Sequence, residues 1–171
     1  LPRSLRRQRQ MCIRDSFCTI YLSPRDYHRI HMAYDAQLIE MIYVPGRLFS
    51  VAPYAPKTID KLYARNERVA CIFKTRHGYM ATVMVGAVNV AAIETVWAGL
   101  ITPPHLDHPS QHDYQHQDIH LQKGDHMGTF NMGSTVVMLY SENFGVALDS
   151  LSIDQKVLMG EKIALAQTTQ A

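Results

Sequence analysis

The sequence predicts an all-β or β-rich fold, a single sandwich- or barrel-like domain with short peripheral helices. Short runs of β-branched and aromatic residues recur along the chain, with Gly, Pro, Asn or Asp turn signals about every eight to twelve residues. Helical periodicity is confined to residues 27–41. With 171 residues, 47% of them hydrophobic, the chain is long enough for one domain with its own core. A net charge of +2 gives no nucleic-acid footprint. No apolar run approaches the roughly 20 residues that a membrane-spanning helix needs.

Residues 1–10 carry Arg3, Arg6, Arg7 and Arg9, a pattern open to reading as a basic arm or a targeting peptide. The next six residues, Met11 to Ser16, read MCIRDS, the translation of a transposase end used in preparing sequencing libraries. Residues 1–16 are therefore expected to be adapter-derived, and native sequence to start at Phe17. FCTIYL (17–22) is a strand by composition. Ser23-Pro24-Arg25-Asp26 is a turn or a helix start, with Ser23 able to cap and Pro24 tolerated at the first helical position. His28 and His31 follow three residues apart. On a helical turn that spacing sets both rings on one face, and on a strand it sets them on opposite faces.

Residues 43–51 predict a strand, a turn at Pro45-Gly46 and a second short strand. The polar run 60–67 leads into a strand over 69–73, and His77-Gly78 is a hairpin turn into the long run 79–90. Gly86 interrupts that run as a bulge or bend. Residues 91–97 continue as a strand that ends at Gly99. Residues 102–122 hold Pro103, Pro104 and Pro109 with His105, His108, His112, His116 and His120. Such a tract can bind metal, but its prolines and polar residues argue for a solvated loop, and no metal site is expected. Strands return over 128–131, 136–141 and 146–151, with a turn at Gly160-Glu161. Cys18 and Cys71 form no CxxC motif, so a reducing compartment is the default.

The stretch that carries chemistry is Met132-Gly133-Ser134-Thr135, set directly before the apolar run 136–140. A serine after a glycine at the mouth of a strand can attack the carbonyl that precedes it. The missing Cβ of Gly133 gives the backbone the latitude such an attack needs.

Read in order, LSPRDYHRIHM (22–32), YVPGRLFSV (43–51), LYARNERV (62–69), IETVWAG (93–99), KGDHMGTFNMGST (123–135) and MGEKIA (159–164) resemble the phosphatidylserine decarboxylase family over residues 17–166. The resemblance implies a β-sandwich-like core and a chain that makes its own cofactor. Ser134 attacks the Gly133 carbonyl, and the resulting ester breaks by β-elimination. Residues 17–133 then become a β chain, and residues 134–171 an α chain that begins with a pyruvoyl group derived from Ser134. That carbonyl forms a Schiff base with the amine of phosphatidylserine and takes up the electron pair of the departing carboxylate, yielding phosphatidylethanolamine and CO2. By the same resemblance His31 is the base for Ser134, and His28 serves the decarboxylation.

The family's triad aspartate lies well upstream of these histidines. Asp26 and Asp35 do not match its motif, and Asp26 reads as a turn residue. The chain as written is therefore expected to self-process slowly or not at all, because an imidazole without its orienter is free to take the wrong tautomer. The resemblance also implies peripheral association with the cytoplasmic face of a bacterial membrane, and it is compatible with a homodimer. Met32, Leu48, Phe49 and Val51 are candidates to meet lipid, with core burial the competing reading. Two other classes compete: a zinc-dependent hydrolase using His28, His31 and loop histidines, which needs three protein ligands and a bound water, and a non-catalytic binding module.

Overall fold

The computed structural model describes residues 16–88, 92–131, 134–144, 146–147 and 151–166. Two antiparallel sheets build the domain. The larger runs in the order β1 (Ser16–Leu22), β11 (Ser134–Tyr140), β5 (Gly78–Val85), β4 (Arg68–Thr75), β3 (Ala36–Val44) and β8 (Ser110–Asp113), with β9 (His120–Leu121) also pairing with β3. The smaller runs β2 (Arg29–His31), β10 (His126–Phe130), β6 (Ile93–Thr95) and β7 (Gly99–Thr102). A short ladder joins β12 (Val146–Ala147) to β13 (Leu165–Ala166). Two single-turn helices, α1 (Ala55–Thr58) and α2 (Leu62–Arg65), and a 3-10 turn at Glu142–Phe144 complete the described elements. The expected β-rich domain with short peripheral helices is what forms.

Strand β4 shows why these residues extend. Val69, Cys71 and Phe73 alternate inward, all fully buried, while Ile72 and Lys74 point the other way. Each large apolar side chain so buried contributes about 1.5–3 kcal/mol. Arg76-His77 closes the expected hairpin into β5, with Thr75 opposite Gly78. β5 is buried on both faces along much of its length, as an interior strand with β4 on one side and β11 on the other must be.

The helical periodicity over 27–41 does not become a helix. Residues 29–31 and 36–44 are strands β2 and β3. In β3 the inward residues are Ala36, Leu38, Met41 and Tyr43, and the ladder to β4 is irregular between Leu38 and Glu40. That bulge turns a step of two into the step of three between Leu38 and Met41, which imitates helical spacing.

The second short strand expected within 43–51 is also absent. After β3 ends at Val44, Arg47 pairs as an isolated parallel bridge with Asn66. Arg47 N–H donates to the Arg65 carbonyl and Glu67 N–H to the Arg47 carbonyl, both at 2.8 Å. The chains approach so closely that a Cβ on Gly46 would lie 2.5 Å from Arg65 O and Glu67 N, so only glycine fits. Asn66, fully buried, donates from Nδ2 to the carbonyls of Phe49 and Gly86 at 2.9 Å each and accepts the Phe49 N–H at 3.1 Å. The PGR and RNER motifs are thus two halves of one knot. Gly86 ends β5 there, its N–H bonded to the Glu67 carbonyl.

Residues 102–122, expected as an irregular loop, supply β8 and β9 to the edge of β3. Their polar composition hides this, because an edge strand joins through its backbone and needs no apolar alternation. Of the strand expected over 91–97, only β6 forms among the described residues, and Val96-Trp97 begin a turn before β7; of that over 146–151, β12 forms over Val146–Ala147 and Leu151 is not in a strand. Residues 91 and 148–150, like residues 1–15 and Gly133, lie outside the described residues.

Candidate functional site

Ser134 opens β11 in the larger sheet, and Phe130 closes β10 in the smaller one. The chain therefore changes sheets between these two residues. A second crossing runs alongside. Leu22, the last residue of β1, pairs with Ser134, while the His28 carbonyl accepts the Phe130 N–H at 2.9 Å just before β2 begins. Residues 23–27 thus cross from the larger sheet to the smaller one, and the SPRDYH segment leaves β1 beside Ser134 at the head of β11.

The SPRDYH crossover is a tight turn with Pro24 at its second position. Asp26 N–H donates to Ser23 O at 2.9 Å, and Ser23 N–H returns a bond to Asp26 Oδ2 at 2.7 Å. That backbone N–H holds the Asp26 carboxyl below the usual carboxylate range. Asp26 is a turn residue, as its motif suggests.

Both hydroxyls at the head of β11 are fully buried, and neither Ser134 Oγ nor Thr135 Oγ1 has a hydrogen-bond partner. Each such group costs about 1–3 kcal/mol. An orphaned hydroxyl directly after Gly133 is available to attack, and it fits a residue that is to be converted into a carbonyl group.

The two histidines differ. His28 Nδ1 sits 2.6 Å from the Asp26 carbonyl, which can only accept, so Nδ1 carries the proton. Its Nε2 is buried and without a partner. His31 has both nitrogens engaged: Nδ1 donates to the Gly124 carbonyl at 2.7 Å, and Nε2 accepts from the Tyr27 hydroxyl at 2.9 Å. Opposite it in the ladder lies His126, with ring centroids 5.7 Å apart, and His126 Nε2 is within 2.9 Å of the Gly128 carbonyl and the Thr129 hydroxyl. Because β2 is a strand, the shared helical face on which both rings would meet one site does not form.

Sequence reasoning did not single out Tyr27 or Gly124. Gly124 was detectable as the glycine of a KGD turn, whereas nothing local marks Tyr27 as the partner of a ring four residues on. A second buried polar group, Glu67, accepts from Tyr43 at 2.6 Å and pairs with His105 Nδ1 at 2.8 Å. Burial and the Glu67 carboxylate both push the Tyr43 hydroxyl upward. His105 is thus tied to the sheet, while His108 and His120 meet Asp107 and Asp118 at the surface. Among the described residues no group of three or more His, Cys, Asp or Glu is placed to hold a metal ion, so the ligand set the zinc-hydrolase reading needs is not assembled there. Met32 and Val51 belong to the core and do not face lipid, and Phe49 packs against that core beneath the Arg65 guanidinium. No helix among the described residues is long and apolar enough to cross a membrane.

Comparison with known proteins gives one consistent result. The family model described as phosphatidylserine decarboxylase matches residues 3–165. A phosphatidylserine decarboxylase proenzyme of Bordetella pertussis is 52% identical over 159 residues, 90% of this chain and 52% of that protein. The proenzyme of Stutzerimonas stutzeri is 48% identical over 158 residues, 91% of this chain and 53% of its own length. That of Alkalilimnicola ehrlichii is 58% identical over 124 residues, 72% of this chain and 43% of its own. The chain spans about half the length of the curated relatives it matches.

Proposed function

We propose, from the premise that this chain belongs to the phosphatidylserine decarboxylase family, that it is the catalytic core of a pyruvoyl-dependent lyase that converts phosphatidylserine to phosphatidylethanolamine and CO2. The observation that supports the reading is the buried, unpartnered Ser134 hydroxyl immediately after Gly133 in sequence, at the head of a strand paired with Leu22, which leads into the segment that bears both histidines.

Ser134 Oγ adds to the Gly133 carbonyl carbon and gives its proton to His31; the C–N bond then breaks, leaving an ester and a free amine on residue 134. Removal of the α-proton expels the Gly133 carboxylate and leaves dehydroalanine, whose imine tautomer takes up water and loses ammonia to leave a pyruvoyl group. Once formed, that group supplies a carbonyl for the substrate amine and a sink for the electron pair of decarboxylation. His28, whose buried Nε2 has no hydrogen-bond partner, is the residue assigned to move a proton at the reacting carbon.

The two products of scission remain joined as neighbouring strands, since β11 lies between β1 and β5. Contact with the membrane is peripheral, at the cytoplasmic face, and Ile153, Leu158 and Met159 are, with Phe17 and Tyr54, among the strongly exposed apolar side chains available to meet lipid. The core is taken to run over residues 17–171. The family match starts ahead of residue 17, and resequencing the genomic locus decides whether codons 1–16 belong to the gene.

The test uses the full-length protein and phosphatidylserine vesicles. Release of CO2 is expected, and phenylhydrazine, which captures ketones, is expected to abolish it. His28→Ala is expected to cleave itself yet release no CO2. Undiminished release after hydrazine treatment would remove the carbonyl from the account.

A further inference from the structure

Glu67 and Ser134 occupy one row of the larger sheet. Val85 of β5 pairs with Thr135 of β11 on one side and with Arg68 of β4 on the other. One residue further along, the Gly86 N–H donates to the Glu67 carbonyl at 2.9 Å, so the row continues as Ser134, Gly86 and Glu67. Ser134 stands two residues before Val136 and Glu67 two before Val69, and both valines belong to the core, so the Ser134 and Glu67 side chains face the same layer. Gly86, between them, contributes no side chain. One hydrogen-bonded and one non-hydrogen-bonded pair set the two Cα atoms about 10 Å apart. A glutamate side chain and a small headgroup can fill that span together.

Glu67 is an acid with one oxygen in use. Oε1 takes both donors, the Tyr43 hydroxyl at 2.6 Å and His105 Nδ1 at 2.8 Å. Oε2 is buried and, among the described residues, has no partner. Asn66 beside it cannot serve, since its Nδ2 is committed to the carbonyls of Phe49 and Gly86. A buried carboxylate is costly unless a positive group matches it. Native structures leave few buried polar atoms unpaired, and each calls for a role.

We infer that Glu67 Oε2 is the acceptor for the ammonium group of the serine headgroup in the processed enzyme. The inference rests on the reading of Ser134 as the precursor of the carbonyl. The headgroup of phosphatidylserine carries one cation and two anions, its phosphate and its carboxylate, and an acid attracts only the first. An ammonium nitrogen has no lone pair, so it must lose a proton before it can add to a carbonyl. That N–H bond breaks as an O–H bond forms on Oε2, and the electron pair stays on nitrogen for the addition. Tyr43 and His105 hold Oε1 and so keep the carboxyl group in place.

The probes are phosphatidylserine vesicles, whose amine arrives protonated, and phenylhydrazine, which is uncharged at neutral pH and needs no proton acceptor. Both are offered to the full-length protein and to its Glu67→Gln variant, whose amide oxygen can still accept from Tyr43 and His105. The variant is expected to give two chains by intact mass and to bind phenylhydrazine on the smaller one at the unaltered rate. Its CO2 release at low substrate is expected to fall about ten- to a hundred-fold, the worth of a hydrogen bond to a charged group. Unaltered release overturns the inference. So does phenylhydrazine capture that falls in step with release, which makes Glu67 a packing residue. If Glu67→Gln arrives uncut, the same rates are read in Glu67→Asp, which keeps the charge but draws it back by one methylene. A raised KM for phosphatidylserine with unaltered phenylhydrazine capture is then expected, and equal changes in both, or a second uncut chain, overturn the inference. All these results leave the reading of Ser134 standing. That reading fails separately, and takes the inference with it, if the unaltered protein binds no phenylhydrazine.

Discussion

Replacing Thr135 by Val is expected to stabilise the unprocessed chain. Thr135 is fully buried in β11, paired with Tyr21 on one side and Val85 on the other, and its hydroxyl has no partner. A buried hydroxyl without a hydrogen bond costs about 1–3 kcal/mol. Valine puts a methyl of similar size in its place, and both residues are β-branched, so strand preference changes little. The expected gain is therefore about 1–3 kcal/mol, which in a chain of this size raises Tm by roughly 2–12 °C. The comparison is made in a Ser134→Ala background so that scission does not intervene, by urea denaturation with the slope m unchanged. A loss of stability of about 1 kcal/mol or more, on the scale of a net hydrogen bond, would show that the hydroxyl is satisfied and that the head of β11 holds no stored cost. Such a cost suits a site whose polar groups are kept for chemistry.

Two further outcomes follow from the knot and the core. Asn66→Ala removes bonds to Phe49 N–H, Phe49 O and Gly86 O, and is expected to cost about 3–5 kcal/mol in urea melts; Asn66→Asp should be at least as damaging at neutral pH, because a carboxylate would face two carbonyl oxygens. Burial raises the Tyr140 hydroxyl pKa, as burial and Glu67 raise that of Tyr43. Folded values above the unfolded value of about 10 mean that this stability is fully present below pH 10 and is lost as pH climbs through the folded values. Urea midpoints should therefore fall above pH about 10, less steeply in Tyr140→Phe, and identical slopes for the two proteins would contradict the assignment.

Much of the architecture was legible because the strands obey local rules. β4 alternates cleanly, Arg76-His77 closes a two-residue hairpin, and Ser134 heads an apolar run that becomes a strand between two others. What the sequence concealed came from distant partners. The bulge in β3 disguised a strand as a helix, and the polar 110–113 and 120–121 segments joined a sheet through their backbones alone. The Gly46–Asn66 knot joins residues 20 apart in sequence, and the His31 Nδ1 hydrogen bond reaches the Gly124 carbonyl 93 residues away, where no side chain announces it.

The measurement that bears most directly on the account is the intact mass of the full-length protein beside its Ser134→Ala variant. Two chains meeting between Gly133 and Ser134, the smaller one blocked to Edman degradation, are expected for the unaltered protein, and one uncut chain for the variant. Phosphatidylethanolamine formed by a protein whose Ser134 remains serine in an unbroken chain would contradict it.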